Sequence, residues 1–212
     1  MKYILMADIV QSHKKQSPKL MQQFKALVAV INKKHKQQFL SPLTITLGDE
    51  FQGLPATLKD ALEIIIEIEE TIVLKKFDFK LRYVLNKGKI DTPINSKIAY
   101  EMLGEGLTQA RYQLNELKTE KRIRFFIDIK KKRENALFTN SFVIFQSILD
   151  EWKIADAELI NEFLQEDNYR KVAENLGKDI SLVWKREKSL KMREYKAVKF
   201  LIHNIVTEKQ PK

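Results

Sequence analysis

The order in which apolar patterns follow one another constrains this chain more than any other feature of its sequence. Lys2 to Val10 is a compact apolar run interrupted by one acid, Asp8, and reads as a buried strand. Ser17-Pro18 then opens a helix in which Leu20, Met21, Phe24, Leu27, Val28 and Ile31 recur at helical spacing. Leu43 to Leu47 and Glu50 to Leu54 read as the strands of a hairpin turning at Gly48-Asp49, with Pro55 as its stop. A long second helix carries Leu58, Ala61, Leu62, Ile65, Ile68 and Ile72 on one face. Phe77 to Asn86 then reads as a strand, Ser96 to Leu117 as a third helix, and Arg124 to Ile129 as a last strand. This order predicts an α+β fold, a ferredoxin-like antiparallel sheet with helices on one face. The run KKKREN reads as a solvated turn or linker, and every later segment reads as helix. Two domains are therefore expected: residues 1–133 as the α+β domain, and residues 134–212 as a small all-α domain.

Composition removes several chemistries. The chain of 212 residues has no cysteine, and its three histidines, His13, His35 and His203, are far apart in sequence. Disulfides, thiol nucleophiles, zinc sites and histidine triads are thereby disfavoured, and any metal should be one that takes oxygen ligands. No apolar run approaches the roughly 20 residues of a membrane span, and the N-terminal run is too short and too soon charged for a signal peptide. A cytoplasmic location without membrane contact is the expectation. The net charge of +10 makes polyanions plausible partners, and it is unevenly placed. Lys118 to Arg133 holds eight basic residues against two acids, Glu151 to Asp167 one against six, and Asn168 to Lys199 ten against four.

The strongest local chemical signal is Asp8 with Asp49, and Glu50 beside the second. If the first strand is central and the hairpin lies next to it, both aspartates reach one end of the sheet. A hard divalent ion such as Mg²⁺, or Mn²⁺ in its place, needs only one or two carboxylates plus phosphates and water. The loop Ile9-Val10-Gln11-Ser12 could offer backbone N–H groups to a phosphate. Taken alone, however, Gly-Asp is a common hairpin turn and Asp8 can simply end a strand.

The segments Met6-Ala7-Asp8-Ile9-Val10-Gln11-Ser12 and Thr46-Leu47-Gly48-Asp49-Glu50-Phe51 resemble the two metal-binding segments of class III nucleotidyl cyclases. The tetrad GDEF also resembles the diguanylate cyclase signature, and the whole chain is most similar to the SatD family, small bacterial proteins with a cyclase-like front half. The resemblance implies a cyclase or palm-like sheet, a metal pair on Asp8 and Asp49, and a nucleotide held near Ile9, Val10, Gln11, Ser12 and Glu50. It also implies a catalytic, charge-stabilising role for Arg111 and a homodimer, because cyclases of this class build their sites between two copies. Two positions depart from the cyclase pattern. Ile45 stands where adenine-selecting enzymes carry a lysine, and Leu107 stands where the transition-state helix carries an asparagine. Leu47 also replaces the first glycine of the diguanylate cyclase signature.

Other features read more plainly. Gly104 and Gly106 suit the start of a helix or a close backbone approach, and Arg82 and Asn86 alternate along a strand that can face solvent or ligand. In the tail, Ala173, Gly177 and Val183 stand at the spacing of a helix-turn-helix. Its second helix would offer Ser181, Trp184, Lys185, Lys188 and Lys191 to DNA, with Lys178 at the turn. A small helical bundle for packing or dimerisation is the alternative. The leading expectation is a cytoplasmic bacterial DNA-binding regulator with a cyclase-like nucleotide and metal sensor. Its rivals are a Mg²⁺-dependent nucleotidyl cyclase or related phosphoryl-transfer enzyme, and a scaffold without catalysis.

Overall fold

A computed structural model of the chain describes residues 1–12, 18–120 and 122–207. The sheet comprises β1 (Lys2–Ile9), β2 (Phe39–Ile45), β3 (Glu50–Pro55), β4 (Leu81–Gly88) and β5 (Phe125–Asp128), in the order β2-β3-β1-β4-β5. β1 is central and antiparallel to both neighbours, as a split β-α-β arrangement requires, while β5 joins β4 in parallel. The hairpin loop is longer than the expected two residues. β2 ends at Ile45, Thr46 N donates to Glu50 O at 3.0 Å, and Gly48 takes φ 72°. Pro42 sits in β2, the edge strand, where a missing N–H is tolerated.

The expectation of helices on one face is corrected. From Ile4 to Ile9 every β1 residue is buried, the mark of a strand covered on both sides. Leu5, Ala7 and Ile9 pack in the cluster that contains α1 (Pro18–Lys34) and α2 (Leu58–Leu74). Ile4 and Met6 point the other way, with Leu54 and Val84, against Leu107, Ala110, Leu114 and Leu117 of α3 (Glu105–Thr119). The helix α3 begins later than its apolar spacing suggests, because residues 89–104 form an irregular cover. That cover is tied to the sheet by Ser41 Oγ donating to Asn95 O at 2.6 Å and Gln52 Nε2 to Ala99 O at 2.8 Å. At its end α3 touches β4 backbone to backbone: a Cβ on Gly106 would lie 2.7 Å from the Gly88 Cα. The close-approach reading of Gly106 is thereby explained, and Asn86, fully buried, donates to Gly106 O at 3.0 Å instead of facing solvent.

The run KKKREN is the entrance to a helix, not a free linker: α4 spans Lys132–Leu149. Asn135 pins that first turn, accepting from Ile129 N at 3.0 Å and donating to Asp128 at 2.9 Å. Phe138, Phe142 and Phe145 lie on the buried face of α4, and Phe125 of β5 packs against the last two. Beyond it come α5 (Ala157–Gln165), α6 (Tyr169–Asn175), α7 (Ile180–Ser189) and α8 (Met192–Thr207). One hydrophobic cluster runs from the sheet through α2 and α4 to Tyr195, Val198 and Ile202 of α8. Tyr195 also donates to Glu70 on α2 at 2.7 Å, and Lys199 does so at 2.6 Å. No helix among the described residues is long and apolar enough to cross a membrane.

Candidate functional site

The site is built on one row across the sheet. The register pairs Asp8 with Glu50 on β3 and with Arg82 on β4, and the alternation of β1 turns all three toward α3. Arg82 Nε donates to Asp8 Oδ1 at 3.1 Å. From above, α3 contributes Arg111, bonded to Glu50, and Lys118, whose Nζ lies 2.8 Å from Glu50 Oε1 and 3.9 Å from Asp8 Oδ2. Arg111 and Lys118 are seven residues apart, two helical turns, so they share one face of α3.

The carboxylates lie underneath and the cations above. Side-chain exposures are 2% for Asp8 and 5% for Glu50, against 32% for Arg111 and 37% for Lys118. Burial pushes the Asp8 carboxyl up to about 6, against the opposing pull of Arg82 and Lys118, with Glu50 and Asp49 adding to the rise. Arg82, Arg111 and Lys118 thus answer the buried carboxylates of Asp8 and Glu50, with the Asp49 carboxylate near enough to act on Asp8.

Asp49 sits beside this row, and its main-chain oxygen accepts from Ile9 N at 3.0 Å. Together with Ser12, Gly48, Leu47 and the first turns of α1 it lines a cleft of about 560 Å³. The hairpin lies next to the central strand, so Asp8, Asp49 and Glu50 are brought to one end of the sheet. The loop is less open to a phosphate than expected: Ile9 N is bonded to Asp49 and Val10 N to Lys80 O at 2.9 Å. Gln11, at φ 57°, makes the turn, and Ser12 reaches the cleft. Ser17, expected to open α1, lies outside the described residues.

For a divalent ion the donor set is a poor match as arranged. Both carboxylates in the row are answered by cations of the chain itself. Among the described residues no group of three or more His, Asp or Glu is gathered as a metal would need. The two departures from the cyclase pattern are packing positions: Ile45 is partly buried at the edge of the main cluster, and Leu107, 7% exposed, lies on the sheet-facing side of α3. Neither position offers a polar group to a ligand. Sequence reading missed the roles of Arg82 and Lys118. The heptad spacing from Arg111 could have flagged Lys118, whereas Arg82 depends on strand register.

In the tail the predicted turn is present. Gly177 takes φ 59°, Lys178 N donates to Ala173 O at 2.9 Å, and Ala173 and Val183 are buried where the two helices meet. The acidic block answers the second basic block: Lys178 pairs with Glu158 at 3.1 Å, Lys191 with Glu151 at 2.9 Å, and Arg186 with Asp156. Two of the residues expected to meet DNA are therefore engaged within the chain. Ser181, Trp184, Lys185 and Lys188 remain exposed on α7, with the Lys188 ammonium 3.7 Å above the Trp184 ring.

The family model described as the SatD family matches residues 3–205. No curated protein matches the sequence. Among solved structures, the chain is similar to the catalytic core of a rhodopsin-guanylyl cyclase with converted specificity, at 17% identity over 53% of this chain and 70% of that one, TM-score 0.39. A bacterial light-regulated adenylyl cyclase gives 15% identity over 59% of this chain and 42% of that one, TM-score 0.43. The guanylate cyclase domain from Catenaria anguillulae gives 15% identity over 51% and 69%, TM-score 0.35.

Proposed function

The chain belongs to the SatD family, and from that premise and the charge arrangement at the end of β1 we propose that it binds a nucleoside triphosphate and acts in phosphoryl transfer of the cyclase kind. The observation that carries this reading is the tier of Arg111 and Lys118, held by the buried carboxylates of Glu50 and Asp8 and exposed on their outer sides. Such a tier is preorganised for phosphate oxygens: the acids fix the cations in place, and both cations stay about a third exposed. The cleft beside Asp49 would take the rest of the nucleotide. With Ile45 and Leu107 both packed into apolar clusters, base choice and cyclisation would need groups other than those of the cyclases the sequence resembles. A divalent ion at Asp8 and Asp49 would have to draw Asp8 away from Arg82 and Lys118, so the ion is a variable of the test and not a premise.

The test is calorimetric titration with ATP and GTP, with and without Mg²⁺ or Mn²⁺, alongside chromatographic analysis of products. Arg111→Ala and Lys118→Ala should each weaken triphosphate binding by about tenfold or more, and multiple turnover lost in Asp49→Ala would establish catalysis. Equal binding by wild type and both cation variants would overturn the proposal.

A second reading, DNA binding by the tail, draws on α7: Leu182 and Trp184 are 61% and 38% exposed just after the Gly177 turn, beside Lys185 and Lys188. Binding by a pair of copies, as the resemblance implies, would place two such helices on half-sites roughly 34–36 Å apart. Fluorescence anisotropy on duplex DNA at several salt concentrations tests it. Retention that falls with salt and is lost in Lys185→Glu/Lys188→Glu supports this reading, and no salt-sensitive binding removes it.

A further inference from the structure

The helix α4 carries the longest uncharged run in the sequence, Ala136 to Leu149, in a chain of which 31% is charged. Burial explains only part of it. Phe138, Phe142, Phe145 and Leu149 are buried, but Leu137, Val143 and Ile144 stand 42%, 52% and 49% exposed. The helix α8 repeats the pattern. From Ala197 to Thr207 its one formal charge is Lys199, which is turned to Glu70 on α2, while Phe200 and Leu201 are 67% and 53% exposed. Large apolar side chains grouped on the surface with no charge among them mark a contact surface.

The two exposed stripes adjoin. On α4, Asn135 donates to Asp128 of β5 at 2.9 Å, and Gln146 accepts from Arg124 N, just before β5, at 2.9 Å. Leu137 and Ile144 are each two residues from one of these, about 200° around the helix, and so lie on the flank away from β5. On α8, Lys199 marks the flank toward α2, and Leu201, two residues on, lies about 200° from it. The helices are held together by Phe145 against Tyr195, with ring centroids 5.5 Å apart. Leu137, Ile144 and Leu201 thus border one valley between α4 and α8, and Val143 and Phe200 extend it on either side. Helices about 27 and 24 Å long, packed about 8–10 Å apart, give a face of roughly 500 Å² in projection. Used by two copies it would bury about 1,000 Å², the least that a specific interface needs.

We infer that this face is where two copies of the chain meet. Charge decides the occupant. The net charge of +10 would draw an acidic partner or an anionic membrane surface to exposed lysines and arginines, which this face does not offer. Two copies of a basic chain meet closely only where no like charges are set opposite one another, and a charge-free face in an isologous contact meets that condition. The contact is distinct from pairing across the nucleotide site, the arrangement that the cyclase resemblance implies. It stands independently of nucleotide binding, because the row of Asp8, Glu50, Arg111 and Lys118 lies on the other side of the sheet, under α3.

Sedimentation velocity on the full chain, loaded from about 1 µM to 1 mM, should show the mass rising from one chain toward two. Ile144→Lys and Leu201→Glu, of opposite sign and on different helices, should each raise the dimer dissociation constant at least about tenfold, because each sets a charge against apolar side chains. Val30→Lys, which adds the same charge at an exposed position of α1, should leave association unchanged. Thermal melting checks that each variant is folded. As a second measurement, Asn140→Cys supplies the only thiol of a chain without cysteine. A spin label there should report a copy-to-copy distance within about 40 Å, since the face itself is only about 27 Å long. A chain that stays monomeric over the whole range would overturn the inference and leave the face to a different protein. A dimer that keeps its strength in both Ile144→Lys and Leu201→Glu, or is weakened equally by Val30→Lys, would overturn it by placing the contact elsewhere.

Discussion

The Arg124–Glu69 pair gives the sharpest test of how α2 is joined to the sheet. Both side chains are nearly inaccessible, at 7% and 6%, and they meet in a bidentate contact. Tyr83 donates to Glu69 Oε1 at 2.7 Å, and Asp150 at the end of α4 lies 3.3 Å from Arg124 Nη2. Desolvation opposes the charged guanidinium, yet Glu69 outweighs it and holds Arg124 above its ordinary range. Arg124→Met would strand a buried carboxylate with only a tyrosine hydroxyl, and breaking a buried pair in this way costs about 3–5 kcal/mol. Glu69→Gln should cost somewhat less, because the amide keeps the shape and one acceptor. The double variant should lose less than the sum of the two by about 2 kcal/mol, within the range measured for residues in contact. Urea unfolding at neutral pH, followed by circular dichroism and compared at constant m-value, gives all three numbers. Single-variant losses below about 1 kcal/mol, the value of an exposed ion pair, would refute the reasoning by showing that water reaches the pair.

Three further outcomes are expected. Gly106→Ala places a methyl against the Gly88 backbone, where neither neighbour is a flexible side chain, and should lower stability by about 1–3 kcal/mol in the same assay; an unchanged midpoint would mean that α3 sits farther from β4. For Asp150, burial raises the carboxyl pKa but Arg124 and Lys80 outweigh it, so the folded value lies below the ordinary one. Its contribution is thus present above the unfolded carboxylate pKa and lost as pH falls through the folded value; Asp150→Asn should flatten the acid limb of stability against pH, and parallel curves would contradict the assignment. A fragment ending at Arg133 should aggregate or give a collapsed NMR spectrum, because Phe125 and Ile127 would lose the cover of Phe138, Phe142 and Phe145; a dispersed spectrum would show that the front half folds alone.

The parts of this fold that were legible in the sequence are those governed by local pattern, and the parts that were not depend on pairing at a distance. The run Ile4 to Ile9 announces a buried strand, and Leu20 to Ile31 and Ala61 to Ile72 announce their helices through spacing alone. What covers the second face of β1 is not written in β1. It is carried by Leu107, Ala110, Leu114 and Leu117, preceded by the apolar Ala99 and Met102 of the irregular cover, which obscure the true start of α3. That earlier stretch is instead held irregular against strands far away in sequence, with Ser41 Oγ and Gln52 Nε2 donating to Asn95 O and Ala99 O and Ala99 N donating to Thr44 Oγ1. The same division holds at the site. Asp8 and Asp49 could be placed together because a hairpin beside a central strand brings its turn to the strand's end. Arg82 could not be assigned, because one residue of slip in the β1–β4 register would turn it to the other face. The acidic stretch from Glu151 to Asp167 looks in sequence like a separate solvated face. In the fold, Glu151, Asp156 and Glu158 take up charge from Lys191, Arg186 and Lys178, so the apparent strength of the second basic block is partly internal. What is left for an outside polyanion is a smaller set, Lys185 and Lys188 around Trp184 on α7 with Arg170 on α6, and any nucleic-acid affinity of the tail should follow that set and not the net charge of the segment.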